Sequence, residues 1–288
     1  MAREALLSIA DRSRELVGLE DRQGWLALFG EDGVVEDPVG VAVHRGAGEL
    51  GRFHRCFIAP NRISFRVLRD WVDESNGRVV RIVDICILMK DVGARHGVVQ
   101  PAHLVYDVDV ARGGVRRMQA HWEATSSRCA SSPSVRGSLL DLLGATLASR
   151  FLLLHMGLWF ALRFAWAFVA ARLSRARALV RGMAAAASRG DDTAFLANFA
   201  CSQRGVLVGG KLGSGGSCSA EKWLGSLRGS EITPLASYTA GRQTTLWYRR
   251  TQSGRVSEGF WLVQTTASLW SPRVEHVYTI EEPLQMQS

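Results

Sequence analysis

Cysteine pairs and metal-ligand patterns are the first features missing from this chain of 288 residues. Its five cysteines form no C-x-x-C pair, and none has a histidine nearby at metal-ligand spacing. This pattern excludes a zinc site and a disulfide framework, and it predicts a reducing, intracellular environment with no metal and no cofactor. Residues 1–20 also lack the continuous apolar run of a secretory signal, so we expect the N-terminal half to stay in the cytoplasm.

Acidic residues are scarce in the second half of the chain. The whole sequence has 35 basic and 27 acidic side chains, and 18 of the basic but only 9 of the acidic residues follow Glu123. No docking motif for nucleic acid and no basic stripe with interleaved aromatics is present, so a nucleic-acid partner is not expected. The positive second half favours a membrane or an acidic partner.

Helical and strand-like patterns follow one another in the first 125 residues. From Ala5 to Phe29 apolar residues recur at helical spacing, and a further short helix is predicted after Gly46. Beyond Pro60 the pattern changes to β-branched and aromatic runs separated by short glycine-containing turns, which is typical of antiparallel strands. Helices followed by a run of strands predict an α+β domain over residues 1–125.

A polar linker and a long apolar segment come next. Residues 126–137 have the small, polar side chains of a linker, and residues 138–173 are predicted to form an apolar helical insert. Its 21 residues from Phe151 to Ala171 contain only His155 and Arg163 as ionisable groups, and are nearly long enough to cross a bilayer. The arginines that follow this segment favour a cytoplasmic location for its C-terminal side. Two interpretations stay open: a helical hairpin in or on the inner face of a membrane, or a helix buried between domains.

Two motifs near the ends of the first domain carry the functional signal. One is WLALFGEDGVVEDPVGVAVHRGAGELGRFHRCFIAPN at residues 25–61, and the other is MQAHWE at residues 118–123. Over residues 5–125 these motifs resemble the ketosteroid isomerases of the NTF2-like (SnoaL-like) superfamily. The resemblance implies a cone of helices packed on a curved antiparallel sheet. It also implies an isomerase that moves a C=C bond into conjugation in a hydrophobic 3-oxo steroid or related polycyclic ketone.

Asp37 is the candidate base of that reaction. It stands between Val35 and Val39, and Pro38 fixes the chain after it. An apolar setting removes water from a carboxylate, which raises its pKa and makes it a better base near neutral pH. By resemblance, Asp37 is the proton shuttle that takes a proton from the carbon beside the ketone and returns it two carbons away.

The residues that would stabilise the dienolate oxygen depart from the family pattern. Ser13 stands where the family has a tyrosine, and the alignment places either His103 or Val105 where the family has an aspartic acid. A neutral imidazole can donate one hydrogen bond, so His103 is the predicted catalytic donor. Another hydrogen bond is expected from one of three further side chains, depending on which face of its strand it occupies: Tyr106, His121 or Trp122. The substrate pocket is predicted to contain Ser13, Trp25, Phe29, Phe53, Phe57, Tyr106 and Trp122.

The last third of the chain repeats features of the first. EDRQGWLALF at residues 20–29 is echoed by GDDTAFLANF at residues 190–199, and a short apolar strand is predicted after each. Residues 174–288 are therefore predicted to be a second NTF2-like unit. At the position of Asp37 this copy has Leu207, so it is predicted to be degenerate. By resemblance, we expect it to pair with the first unit as an intramolecular pseudo-dimer, and further self-association stays open.

Two other functions remain open at this level. An NTF2-like epoxide hydrolase or polyketide cyclase would use the same base, and epoxide opening would want a second carboxylic acid in the cone, for which Asp84 and Asp107 are the candidates. A non-catalytic lipid-binding module is favoured by the missing tyrosine and the degenerate second copy. All three functions predict a hydrophobic small-molecule partner.

Overall fold

The chain divides into two compact units. The computed structural model describes residues 2–90, 97–123, 128–129, 157–200, 205–210 and 215–284. The first unit comprises Met1–Val72 and Gly77–Val169, and the second comprises Asp73–Asn76 and Ala170–Ser288. Each unit has a hydrophobic core of its own.

Three helices open the first unit. They are α1 (Ala2–Gly18), α2 (Arg22–Phe29) and α3 (Gly46–Phe53), and α3 continues into a π-helical turn over His54–Ile58. The Asp21 side chain accepts a hydrogen bond from the backbone N–H of Gly24, which satisfies a free donor at the start of α2. The helix ends at Gly30, whose φ of +71° favours glycine.

The strands of the first unit form one mixed sheet. They are β1 (Val34–Glu36), β2 (His44–Arg45), β3 (Asn61–Asp73), β4 (Arg78–Met89), β5 (Gly97–Asp109), β6 (Gly114–His121) and β7 (Arg128–Cys129). The order is β2-β1-β6-β5-β4-β3, with β7 paired to β5. Strand β1 runs parallel to β6, whereas β2 is antiparallel to β1, and β4, β6 and β7 are each antiparallel to β5. Strand β7 lies within the predicted linker at residues 126–137. The other residues of that linker are outside the described part of the chain.

The second unit repeats this architecture. Its helices are α4 (Leu158–Leu173), which begins in the first unit, α5 (Ala176–Arg189), α6 (Asp192–Leu196) and α7 (Ala220–Leu227). Its strands are β8 (Val206–Val208), β9 (Gly216–Cys218), β10 (Ser230–Ala240), β11 (Gln243–Gln252), β12 (Arg255–Thr265) and β13 (Val274–Pro283). The sheet order is β10-β11-β12-β13-β8-β9, and β8 runs parallel to β13 as β1 does to β6. The predicted α+β fold of two units, each with helices and one sheet, is confirmed.

Helix α4 is the described part of the predicted apolar insert, since residues 138–156 lie outside the described ranges. Phe160 and Phe164 are buried in the core of the first unit, and the Phe164 ring meets that of Trp122 edge-on at 6.4 Å. One face of the helix therefore packs on protein. Among the residues that the structure describes, no helix has the length and apolar content needed to span a membrane.

Candidate active site

A cavity lies between the helices and the sheet of the first unit. The space open to the centres of water-sized molecules in it is about 60 Å³, and the cavity is partly open to solvent. Apolar side chains make most of the wall, and a few polar groups converge on it, as is usual for small-molecule sites. The lining residues are Ser13, Val17, Trp25, Asp37, Phe53, Phe57, Ile58, Ile63, Phe65, Ile85, Ile87, Val98, Gln100, Leu104, Tyr106, Met118 and Trp122.

Asp37 enters this cavity directly after β1. The indole Nε1 of Trp122 donates a hydrogen bond to Asp37 Oδ1 at 2.7 Å. Burial raises the pKa of Asp37 to about 6, and the hydrogen bond from Trp122 opposes this rise only in part. At neutral pH Asp37 is therefore an ionised carboxylate that holds a proton far more readily than an exposed aspartate does.

The alternation of β1 explains why Asp37 and not its neighbour faces the cavity. Glu36 is buried on the other side of the strand, where Arg117 of β6 donates hydrogen bonds to its carboxylate. The parallel pairing of Val35 with Met118 and of Glu36 with Gln119 holds this short strand in register. The Asp37–Pro38 peptide bond is cis.

Tyr106 and Ser13 supply hydroxyl groups to the same cavity. Burial raises the pKa of Tyr106 to about 12, and a hydrogen bond from Ser13 and the nearby charge of Arg81 lower it in part. The Tyr106 phenol therefore remains protonated across the physiological range and is available as a hydrogen-bond donor. The charge of Asp37 also raises the Tyr106 pKa, so the two groups interact electrostatically within one site.

Arg81 lies buried beside Tyr106, where two carboxylates hold it. The side chain is 2% exposed, and it contacts Asp70 at 2.7 and 2.9 Å and Asp11 at 2.9 Å. Desolvation lowers the pKa of Arg81, but the hydrogen bonds and charge of Asp70 outweigh it and the net direction is upward. The guanidinium therefore stays charged and favours electron density on the Tyr106 oxygen.

The structure brings most of the predicted site residues together. Asp37, Ser13 and Trp122 line the cavity with four of the predicted aromatic side chains: Trp25, Phe53, Phe57 and Tyr106. Phe29 does not line it. Its ring is completely buried and packs 4.7 Å from the ring of Trp25, so it supports the wall from behind.

The position of His103 differs from the prediction. Leu104 and Tyr106 of β5 line the cavity, and side chains alternate along a strand, so His103 and Val105 face the opposite side. His103 is opposite His121 of β6 there. Burial and the nearby His121 lower the pKa of His103 well below its usual value, which keeps the imidazole neutral. The assignment of His103 as the enolate donor, and of His121 as a candidate for the second donor, is therefore corrected.

Sequence reasoning missed two polar residues of the site. Gln100 lines the cavity, and its amide donates to the backbone oxygens of Pro101 at 2.9 Å and Glu123 at 3.3 Å. Gln100 and Tyr106 are separated by an even number of positions in β5, so their side chains lie on the same face of the strand. The second missed residue is Arg81. A charged residue in the middle of the apolar run RVVRIVD indicates a buried ion pair, and this was the signal that could have found it.

Asp84 and Asp107 do not reach the cavity. Asp84 forms an ion pair with Arg66, and Asp107 accepts a hydrogen bond from Arg78 at 2.7 Å. Asp37 is thus the one carboxylate among the described residues that line the cavity. Within the described ranges, no group of three or more His, Cys, Asp or Glu side chains is placed to hold a metal ion.

Aromatic side chains fill the corresponding core of the second unit. The rings of Trp223 and Trp261 lie 4.9 Å apart, and Tyr248 packs 5.1 Å from Trp261. Leu207 lies in β8, the strand that corresponds to β1. A pocket in this unit is lined by Trp223, Tyr248 and the carboxylate of Glu281, among others, and Leu207 does not line it.

Comparisons with known proteins find likenesses in three-dimensional structure. No protein-family model and no curated protein matches the chain. The chain is similar to the Δ5-3-ketosteroid isomerase from a Mycobacterium species, with 25% identity over 43% of this chain and 98% of that chain and a TM-score of 0.38. RV0760c from Mycobacterium tuberculosis, also solved with estradiol-17beta-hemisuccinate, shows 25% identity over 41% of this chain and 94% of that chain (TM-score 0.37).

A third similar structure is the epoxide hydrolase/cyclase-like enzyme SalBIII. It has 19% identity, covers 44% of this chain and 98% of that chain, and has a TM-score of 0.40. Each of these proteins matches less than half of the present chain. The function proposed below therefore rests on the residues of the cavity.

Proposed function

We propose that the first unit is an isomerase that moves a C=C bond into conjugation with a ketone in a hydrophobic polycyclic substrate, a 3-oxo steroid or a related compound. The observation that carries this proposal is the position of Asp37, a carboxylate with a pKa of about 6 in an apolar cavity. A base with a pKa near the working pH gives the best balance between ionised fraction and proton affinity. The ketosteroid isomerase resemblance of residues 25–61 supports the same reaction.

The chemistry needs only this chain's own side chains. The Asp37 carboxylate removes a proton from the carbon between the ketone and the double bond, and the electron pair passes to the ketone oxygen to form a dienolate. The Tyr106 hydroxyl donates a hydrogen bond to that oxygen while Ser13 donates to Tyr106. Asp37 then returns the same proton two carbons away, and the C=C bond ends next to the C=O bond.

Tyr106 takes the role that the resemblance assigned to a tyrosine on the first helix. Ser13 stands at that helical position, and its hydrogen bond to Tyr106 links the helix to β5. The donor therefore comes from the sheet instead of the helix in this proposal.

Epoxide opening is the less well supported alternative. That reaction wants an acid for the epoxide oxygen besides the base that activates water, and Asp84 and Asp107 are both held in ion pairs outside the cavity. An apolar wall without a second carboxylate favours proton transfer within one substrate.

The test follows the ultraviolet absorbance of a conjugated enone. Wild-type protein incubated with a Δ5-3-ketosteroid should form the conjugated product, and Asp37→Asn should lower kcat about a thousandfold because the base is gone. Tyr106→Phe should lower kcat about a hundredfold and leave KM little changed, since its hydrogen bond is strongest when the oxygen carries charge.

Asp32→Asn is the matched control, because it replaces an exposed carboxylate in the turn before β1. This variant should turn over substrate at the wild-type rate. Equal rates for wild type and Asp37→Asn would reject the isomerase. Steroid binding without turnover by the wild type would instead identify a non-catalytic lipid-binding module.

A further inference from the structure

Helix α4 carries an exposed apolar stripe on the side away from the core. Trp159 is 80% exposed, Leu158 75% and Trp166 59%. Leu162, Val169 and Leu173 are exposed as well. Contiguous apolar surface of this kind is uncommon on a soluble protein and usually marks an interaction site.

The stripe has a defined geometry. At about 100° per residue, the exposed apolar side chains fall within an arc of about 100°, on the opposite side from the buried Phe160 and Phe164. Arg163 and Arg172 are exposed and lie about 90° from the centre of this arc, one on each side. The helix therefore presents an apolar stripe that contains two tryptophans and has one arginine on each side.

We propose that this stripe, formed by Leu158, Trp159, Leu162, Trp166, Val169 and Leu173, docks on a membrane surface that contains anionic phospholipids. Tryptophan rings favour the headgroup level of a bilayer, and arginines at the border of an apolar face reach up to phosphate groups. The other face of the helix stays on the protein core through Phe160 and Phe164, so the helix docks by one side.

Charge favours lipid over a second copy of this chain as the occupant. No acidic residue occurs between Asp141 and Asp191 in the sequence, so α4 has no carboxylate to offer the arginines of a second stripe. Two copies packed through this face would bring Arg163 and Arg172 side chains of like charge together. Anionic headgroups supply the missing negative charge.

The test uses flotation of the full chain with vesicles of phosphatidylcholine, alone or mixed with phosphatidylglycerol. Wild type should float with the mixed vesicles, and Trp159→Ser/Trp166→Ser should reduce bound protein about tenfold or more. Arg163→Gln/Arg172→Gln should lower binding to the mixed vesicles about tenfold and leave binding to pure phosphatidylcholine unchanged. Trp270→Ser is the matched control, since it removes an exposed tryptophan outside α4 and should bind as wild type does.

A second measurement identifies other occupants of the stripe. Without vesicles, the melting temperature of Trp159→Ser/Trp166→Ser should equal that of wild type, because exposed side chains contribute little to stability. A lower melting temperature would show that another part of the chain covers the stripe. A dimer in sedimentation that the double variant abolishes, or wild type that does not float, would equally overturn the proposal. Isomerase activity is not required for any of these outcomes.

Discussion

Replacing Asp37 by asparagine should stabilise the protein while it abolishes proton transfer. Burial raises the pKa of this carboxyl from 3.8 to about 6, and one pKa unit corresponds to about 1.4 kcal/mol. The ionised side chain therefore costs the folded state about 3 kcal/mol at neutral pH. This is an upper value, because part of Asp37 remains exposed and solvent screens its charge.

The sign of the pH dependence follows from the raised pKa. The folded state binds the Asp37 proton more tightly than the unfolded state, so the neutral acid favours folding at low pH. That contribution is lost as the pH rises from 3.8 to about 6. Asparagine stays neutral throughout and can still accept the hydrogen bond from Trp122.

Urea unfolding of both proteins across this pH range measures the effect. The difference in the free energy of unfolding should be smallest near pH 4 and should grow in favour of Asp37→Asn to at most about 3 kcal/mol above pH 6. Asp32→Asn should show no such growth. A difference that stays constant from acidic to neutral pH would refute the desolvation of Asp37, and with it the physical basis of the proposed base.

Two further predictions follow from the surroundings of Asp37 and Tyr106. The kcat/KM of isomerisation should rise with pH to a plateau with an apparent pKa of about 6. Trp122→Phe should move this rise to higher pH, since it removes the hydrogen bond that lowers the Asp37 pKa. A pH profile that Trp122→Phe leaves unchanged would contradict the assignment of Asp37 as the base. Asp70→Asn should lower the free energy of unfolding by about 3 kcal/mol in urea, because it leaves the buried Arg81 with Asp11 alone. A loss under about 1 kcal/mol would show that solvent reaches the guanidinium.

The order of helices and strands could be predicted from sequence because each element has a clear local pattern. Helical spacing to Phe29 and alternation beyond Pro60 correspond to α1, α2 and the long strands. The echo between residues 20–29 and 190–199 likewise predicted a second copy with the same sheet order. Asp37 could be predicted as well, because the motif around it at residues 25–61 resembles that of the ketosteroid isomerases.

The face of β5 could not be predicted in the same way. Both sides of this strand are buried, so polar and apolar residues do not alternate along VVQPAHLVYDV. A shift of one residue exchanges the two faces of a strand, which is why His103 was assigned to a cavity that contains Tyr106. Helix α4 posed the same difficulty, because its core face and its exposed face are both apolar.

The partners of the acidic side chains in the first sheet give an independent reason to regard Asp37 as functional. Glu36, Asp70, Asp84 and Asp107 each pair with an arginine, and the buried Asp73 accepts several hydrogen bonds from neutral groups, which compensates for the loss of water around each carboxylate. The hydrogen-bond partner of Asp37 is a neutral indole, and the other described neighbours in its cavity are mostly apolar. Selection for stability alone would favour the replacement of such a group. An unpaired carboxylate kept in an apolar cavity is therefore best explained by a reaction that needs a base there.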